Sequence, residues 1–132
     1  MLHMHGALLS ALCARCGATR PHAGDLPPGT ICVSCGHATM RPDIVFFGEI
    51  PYDMDRIAAA LAQADLFVSI GTSGAVYPAA GFVQLAHAHG ARTLELNLEP
   101  SAGSRLFDES RLGPASALVP ALVADLISQI RH

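Results

Sequence analysis

The chain contains the stretch Leu66-Phe67-Val68-Ser69-Ile70-Gly71-Thr72-Ser73-Gly74, an apolar run followed directly by four small residues. A continuous apolar run of this length is typical of a strand that is covered on both faces, as in parallel sheets. Small residues after such a strand let backbone amides and hydroxyls approach a phosphate or a ribose closely. The loop matches neither a Walker loop nor the Gly-x-Gly-x-x-Gly pattern, so a plain strand-to-helix turn stays open as the alternative.

The pattern on either side of this stretch predicts an alternation of strands and helices. Strands are predicted at 44–47, 66–70 and 93–98, helices at 54–64, 78–89 and 117–130, and a helical turn at 106–109. Strands and helices in this order, with apolar strands, predict an α/β fold in which helices flank a parallel sheet. Three strands make only about half of a doubly wound, Rossmann-like sheet.

Four cysteines stand in two pairs with the spacing of zinc ligands. Cys13 and Cys16 form one pair, Cys32 and Cys35 form the other, and fifteen residues separate the pairs. Four thiolates complete the tetrahedral coordination of zinc and leave no open position for a reacting water. We therefore predict one structural Zn²⁺ that holds together a small module over residues 13–40.

Two disulfides in a secreted protein are the alternative interpretation of the cysteines. The first twelve residues lack the cationic start of a signal peptide and contain His3 and His5. Residence in the cytoplasm, where thiols stay reduced, is therefore the expectation. A membrane span is not expected either, because prolines and aspartates interrupt every apolar run before it reaches the necessary eighteen residues.

The charge pattern argues against nucleic acid as a partner. Among 132 residues, 51% are hydrophobic and 14% are charged, and the net charge is -3. All eight basic residues are arginines without a basic stripe, whereas nucleic-acid-binding domains cluster their basic residues. The length suits one ordinary domain or a small domain with an insert, and we divide it into a 1–12 segment, a 13–40 module and a 41–132 domain.

Three further positions carry groups suited to binding or catalysis. Asn97 and Glu99 leave a predicted strand at its carboxyl end and could hydrogen-bond a ribose diol, although an ordinary strand end accounts for them better. His5, followed by Gly6, is suited to proton transfer near neutral pH, and a solvated terminal histidine is the alternative. Gly48 follows two aromatic residues and marks either the close approach of another backbone or a plain strand end.

Together these motifs resemble the sirtuins, which are NAD-dependent protein-lysine deacylases. The matching residues occur in the family's order along essentially the whole chain. They are His5-Gly6, the two cysteine pairs, Arg41-Pro42, Phe47-Gly48-Glu49, Gly71-Thr72-Ser73, Asn97-Leu98-Glu99 and Gly113-Pro114-Ala115. The phrase over residues 70–82 is most similar to bacterial class III sirtuins.

The resemblance implies a reaction and the residues that serve it. The acyl-lysine carbonyl oxygen attacks the ribose carbon of NAD, nicotinamide leaves, and the products are free lysine and O-acyl-ADP-ribose. His5 is the implied catalytic residue, which takes a proton from a ribose hydroxyl. The implied cofactor-binding residues are Gly71, Thr72 and Ser73 at the ribose or phosphate, Asn97, Leu98 and Glu99 at the adenosine ribose, and Ala115 at the adenine.

The same resemblance implies a protein or peptide substrate that carries an acyl-lysine. Such a peptide would lie between two segments of the chain as an added strand. The implied flanking residues are Phe47, Gly48, Glu49, Val76 and Tyr77. The resemblance also implies that the four cysteines hold structural zinc.

The motifs of a sirtuin's N-terminal half do not occur in this sequence. They are a Gly-Ala-Gly loop, a Gln-Asn-x-Asp stretch and, in class III, a Tyr and an Arg that select acidic acyl groups. The chain thus resembles a carboxyl half, from a truncated gene, a misassigned start or a split enzyme with a complementary chain. Because a dinucleotide site straddles both halves of a doubly wound fold, we predict no deacylation by this polypeptide alone.

Two other classes of function compete with the deacylase. The first is a non-catalytic, zinc-stabilised binding module or an inactive sirtuin fragment, with residual affinity for a nucleotide or an acyl-peptide. The second, a zinc-ribbon nucleic-acid binder, is disfavoured by the acidic net charge and the absence of lysine.

Overall fold

The computed structural model describes residues 1–130, and the chain divides into two compact units, Met1–Asp55 and Arg56–His132. Within the described residues, the first unit contains a three-stranded antiparallel sheet and the second a three-stranded parallel sheet. The division of the sequence into three segments at residues 12 and 40 stays a prediction.

The antiparallel sheet consists of β1 (Gly6–Cys13), β2 (Thr19–Pro21) and β3 (Met40–Ile44), with β1 in the centre. The register between β1 and β3 shifts near the start of β1. Gly6 has φ +86° there, and a Cβ on it would lie 2.0 Å from the carbonyl oxygen of Asp43. Only glycine therefore fits where β1 begins, directly after the predicted catalytic histidine.

The core of the first unit is small and includes two of the four cysteines. Ala11, Cys13, Cys32 and Met40 are buried together. Burying one large apolar side chain contributes only about 1.5–3 kcal/mol. Apolar burial alone therefore gives the 13–40 stretch little stability, as the prediction of a metal-dependent module requires.

The parallel sheet consists of β4 (Leu66–Ile70), β5 (Arg92–Asn97) and β6 (Glu109–Leu112), with β5 in the centre. The pairing is parallel throughout: Leu66 of β4 lies opposite Arg92 of β5, and Leu94 of β5 lies opposite Glu109 of β6. The helices and 3₁₀ turns around these strands are α1 (Met54–Ala62), a turn at Ala79–Gly81, α2 (Phe82–Ala88), a turn at Ser104–Leu106 and α3 (Ala115–Ile130).

Helices cover both faces of the parallel sheet. Phe67 of β4 packs against the cluster that contains Leu61 of α1 and Ala86 of α2. On the other face, Leu94 of β5 packs with Leu122 of α3. The predicted fold class is therefore confirmed: an α/β unit with part of a doubly wound, Rossmann-like sheet, joined to a four-cysteine module.

The strand predicted over 44–47 is wrong in its extent and in the sheet that it joins. Strand β3 ends at Ile44 and is antiparallel to β1, so it is not part of the parallel sheet. The Val45 amide donates to the carbonyl of His5 at 3.0 Å, and the backbone then turns at 47 and 48. The apolar run misled the prediction because its aromatic residues are not buried: Phe47 is 100% exposed.

Strands β1, β2 and β6 were missed, β4 is confirmed to the residue, and β5 and the helices are confirmed with shifted bounds. Strand β1 lies in the segment treated only as short and apolar, and β6 follows a 3₁₀ turn that ends at Leu106 instead of covering 106–109. The predicted 78–89 helix contains a 3₁₀ turn before α2. None of the helices in the described part of the chain has the length and apolar character of a membrane span.

Candidate functional site

The four cysteine sulfurs of the first unit come together in one cluster. Each pair lies on its own tight turn, closed by the Gly17 amide on the Cys13 carbonyl and by the Gly36 amide on the Cys32 carbonyl. All four Sγ atoms lie within 4.8 Å of one another. Separations of 3.7 Å join the sulfurs of Cys13 and Cys35 and those of Cys16 and Cys32.

This cluster fits a tetrahedral zinc. Zinc–sulfur bonds of about 2.3 Å in a tetrahedron place the sulfurs about 3.8 Å apart, close to the separations found. The Thr39 hydroxyl lies 3.1 Å from the Cys13 sulfur, and the Cys16 amide donates to the same sulfur at 3.4 Å. These hydrogen bonds, the Thr39 contact first, lower the pKa of Cys13 to about 5. They thus favour the thiolate that binds metal.

His5 lies immediately before β1 and is exposed. Its carbonyl accepts the Val45 amide, and the Met4 carbonyl accepts the Tyr52 amide at 2.8 Å. The Tyr52 hydroxyl donates to Asp43 at 2.7 Å. The backbone that carries His5 is therefore tied to the loop after β3, while its imidazole faces solvent.

A bidentate ion pair closes the loop after β3. Arg41 donates to both carboxylate oxygens of Glu49, at 2.6 and 2.9 Å, and to the Ile44 carbonyl at 2.9 Å. The same carboxylate accepts the Phe46 amide at 3.1 Å. The Arg41 hydrogen bond, then the Phe46 amide, lower the pKa of Glu49 to about 2. Glu49 thus closes the loop from which the exposed Phe47 projects.

In the second unit, the predicted small-residue loop leaves β4 at its carboxyl end. Gly71 has φ +62°, and its amide donates to the Leu96 carbonyl at 2.9 Å. The Thr72 and Ser73 hydroxyls each accept a backbone amide two residues later, at 3.4 Å. Gly74 also has φ +62°, and a Cβ there would lie 3.0 Å from the Ser101 hydroxyl. The loop is thus held tightly against the segment after β5.

Asn97 joins the two predicted cofactor-binding segments of this unit. Its side-chain amide nitrogen donates to the Thr72 carbonyl at 2.6 Å and to the Glu95 carboxylate at 3.4 Å. Its backbone carbonyl accepts the Gly113 amide at 2.9 Å, two residues before Ala115 begins α3. The carboxyl ends of β4, β5 and β6 therefore form one edge, at which Thr72, Asn97 and the segment before Ala115 come together.

The remaining predicted residues differ in exposure and in the unit that holds them. Leu98, Val76 and Tyr77 of the second unit are 69%, 53% and 70% exposed, and Glu99 is exposed as well. His5, Gly48 and the residues on either side of Gly48 belong to the first unit with the cysteines.

Glu95, which the sequence pattern did not predict as a site residue, is 1% exposed. Its carboxylate accepts the Ser104 hydroxyl at 2.6 Å and the Ser110 hydroxyl at 2.9 Å. Burial raises the pKa of Glu95, but hydrogen bonds led by Ser101 and followed by these groups outweigh burial and keep the pKa below its ordinary value. A charged residue between Leu94 and Leu96 in an apolar strand was the signal that could have found it.

Comparison with known proteins places this arrangement in a family. The model of the Sir2 family matches residues 1–78, which is more than half of the chain. The chain belongs to the Sir2 family. The membership agrees with the sirtuin resemblance of the motifs at His5, the cysteine pairs and Gly71.

The curated relatives of this Sir2 family chain include several bacterial proteins named NAD-dependent protein deacylase. The relative from Caulobacter vibrioides is 53% identical over 131 residues, which are 98% of this chain and 55% of the relative. The relative from Vibrio cholerae is 54% identical over 129 residues, 97% of this chain and 52% of the relative. The chain spans about half the length of the curated relatives it matches.

Solved structures of Sir2 proteins have the same fold over this region. A Sir2 homologue in complex with NAD superposes with a TM-score of 0.84 at 29% identity, covering 96% of this chain and 51% of the other. A mutant Sir2 homologue with ADP ribose gives 0.86 at 28% identity, covering 98% and 53%. A Sir2 protein bound to a myristoylated histone peptide gives 0.77 at 27% identity, covering 98% and 58%.

Proposed function

We propose that this chain is the part of an NAD-dependent protein-lysine deacylase that binds the adenosine end of NAD and carries the catalytic histidine. The observation that supports this most is the hydrogen bond from Asn97 to Thr72, which joins two cofactor-binding segments at the carboxyl edge of a parallel sheet. The 53% identity with a named deacylase supports the reaction class.

In this proposal, NAD lies across the carboxyl edge of β4, β5 and β6. Bound NAD would supply a ribose carbon from which nicotinamide leaves when the acyl oxygen attacks. The positive φ of Gly71 and the tight loop after it leave room for close approach of a ribose or phosphate. The proposed contacts are Gly71, Thr72 and Ser73 at the ribose or phosphate, Asn97, Leu98 and Glu99 at the adenosine ribose, and Ala115 at the adenine.

His5 is the proposed catalytic residue. It would accept a proton from a ribose hydroxyl of NAD, which lets that oxygen take up the acyl group. Its exposed imidazole is available to a ligand, and the Val45 amide on its carbonyl holds its backbone in place. The requirement for glycine at position 6 fixes the conformation of the chain directly after it.

The proposed substrate is a protein or peptide that carries an acyl-lysine, which the chain would hold as an added strand. Exposed apolar groups in each of the two units support this: Phe47 of the first unit is 100% exposed and Tyr77 of the second is 70% exposed. The proposed peptide-flanking residues are Phe47, Gly48, Glu49, Val76 and Tyr77. Glu49 would act through the loop that it closes, because its carboxylate is engaged by Arg41.

The four cysteines would hold one structural zinc, with no open position for chemistry. We further propose a cytoplasmic location, where the thiols stay reduced, and no nucleic-acid or membrane partner. The net charge of -3 without any lysine supports the first of these exclusions. A complementary chain with the motifs of an N-terminal sirtuin half is a proposed partner.

Calorimetry with NAD and the full chain tests the proposal. We expect saturable binding that weakens about tenfold or more in Asn97→Ala, since one ligand hydrogen bond and the Thr72 contact are lost. Gln84→Ala is the matched control, because Gln84 is an exposed side-chain amide on α2. Absence of NAD binding, or equal loss in the control, contradicts the proposed cofactor site.

Nicotinamide release in the presence of an acetyl-lysine or succinyl-lysine peptide tests the catalytic part. Release that depends on His5 would establish deacylase chemistry and refute the prediction that this polypeptide alone is inactive. NAD binding without any release favours the second candidate, a non-catalytic zinc-stabilised binding module. The observation that favours this candidate is the cluster of four cysteine sulfurs within 4.8 Å of one another, which fits a structural metal with no role in chemistry.

A further inference from the structure

The buried carboxylate of Glu95 lies next to Asn97, the proposed ribose-binding residue. Glu95 and Asn97 are two apart on β5, so their side chains leave the same face of the sheet. Glu95 is 1% exposed, and one carboxylate oxygen is occupied by the Ser104 and Ser110 hydroxyls. The other oxygen lies 3.4 Å from the amide nitrogen of Asn97.

The contacts of Asn97 define which way its amide points. The NH₂ group of an asparagine carries two donors, and here they meet two acceptors, the Thr72 carbonyl at 2.6 Å and the Glu95 carboxylate. Neither acceptor can donate. Rotating the amide by 180° would place Oδ1 against these two oxygens, which is unfavourable, so the network fixes the orientation.

We propose that Glu95 is a positioning residue that holds the Asn97 amide so that its carbonyl oxygen faces the adenosine ribose of NAD. The inference rests on the proposed function, because it specifies how that same cofactor site selects its ligand. With both donors of Asn97 engaged inside the protein, Oδ1 accepts a hydrogen bond from a ribose hydroxyl. A ligand without that hydroxyl leaves Oδ1 desolvated and without a donor.

The orientation of Asn97 can be measured without any ligand. Asn97 is the single asparagine of the sequence, and the side-chain amides of three glutamines are the only others. In ¹⁵N NMR spectra of the native chain, we expect the Asn97 side-chain protons to exchange with water at least tenfold more slowly than those of exposed Gln84. In Glu95→Gln this protection should fall. Equal exchange at Asn97 and Gln84 in the native chain overturns the inference.

The second measurement compares the affinity for NAD with the affinity for an NAD analogue. Calorimetry should show the native chain binding NAD about tenfold more tightly than an NAD analogue whose adenosine ribose lacks both hydroxyls, as expected for one net hydrogen bond. Glu95→Gln should reduce this ratio to about threefold or less, since the new amide can donate to a rotated Asn97. Ser110→Ala is the control, because it removes a hydrogen bond from the other oxygen of the same carboxylate.

The two measurements separate the failure of this inference from the failure of the proposed function. A native chain that binds no NAD overturns the proposed cofactor site, while amide exchange still decides whether Glu95 orients Asn97. A ratio that is unchanged in Glu95→Gln, or reduced equally in Ser110→Ala, overturns the positioning role. A merely structural role for Glu95 would lower the melting temperature of both variants without changing the ratio.

Discussion

Removal of the metal from the four-cysteine cluster should unfold Met1–Asp55 and leave the parallel sheet folded. The buried core of that unit contains only Ala11, Cys13, Cys32 and Met40, and two of these residues are metal ligands. Burial of the methionine contributes about 1.5–3 kcal/mol. A structural zinc contributes about 10–16 kcal/mol of apparent folding free energy, as much as or more than the whole stability of an ordinary domain.

Chelator titration of the full chain, followed by ¹H–¹⁵N NMR and metal analysis, measures this effect. One zinc per chain is expected before titration, since a single cluster contains all four sulfurs. Amide dispersion from β1, β2 and β3 should collapse as zinc is lost. Signals from β4, β5 and β6 should persist, because the clusters around Leu61 and Leu94 contain no cysteine.

Point variants separate loss of the metal from general destabilisation. Cys32→Ser should abolish zinc binding, whereas Ser34→Ala, an exposed position between two ligands, should keep one zinc per chain. A native chain that holds no zinc refutes the assignment. Retention of the full first-unit spectrum after complete removal of zinc refutes the argument from the size of the core.

Three further variants or titrations test other parts of the structure. Gly6→Ala should lower the melting temperature of the first unit sharply, because its Cβ would lie 2.0 Å from the Asp43 carbonyl oxygen; an unchanged melting curve contradicts the close approach. Because the pKa of Glu49 is about 2, its ion pair with Arg41 should stabilise the fold above about pH 4.5 and be lost as the pH falls towards 2. A pH titration of the Glu49 carboxyl followed by ¹³C NMR should give a midpoint near 2, and the midpoint should rise in Arg41→Met. Leu94→Ala should cost about 2–5 kcal/mol in urea denaturation, and a cost below 1 kcal/mol contradicts its buried position.

The sequence pattern was sufficient to predict the structure where a strand is covered on both faces or where cysteines are spaced as metal ligands. The apolar run over Leu66–Ile70 predicted β4 to the residue, because both faces of that strand meet helices. Cysteine spacing likewise predicted a cluster whose sulfurs the structure brings within 4.8 Å.

Prediction failed where polar groups satisfy each other across the sheet. Strand β6 has the sequence Glu-Ser-Arg-Leu, which lacks an apolar run, and its Glu109 pairs with Arg92 of β5 and with Arg111. Ser110 reaches the buried Glu95. Glu109 and Arg92 are 17 residues apart in sequence and Ser110 and Glu95 are 15 apart, so no local pattern could have revealed these two pairs.

Strand β5 connects the stability of the second unit to its proposed binding site through the alternation of its side chains. Leu94 and Leu96 face α3 and hold the sheet to that helix. Glu95 and Asn97 leave the opposite face, where the Asn97 amide contacts both the Glu95 carboxylate and the Thr72 carbonyl in the loop after β4. Substitution of Leu94 should therefore change the free energy of unfolding while the ligand preference ratio stays constant. Substitution of Glu95 should change the ratio, because the orientation of one amide depends on it.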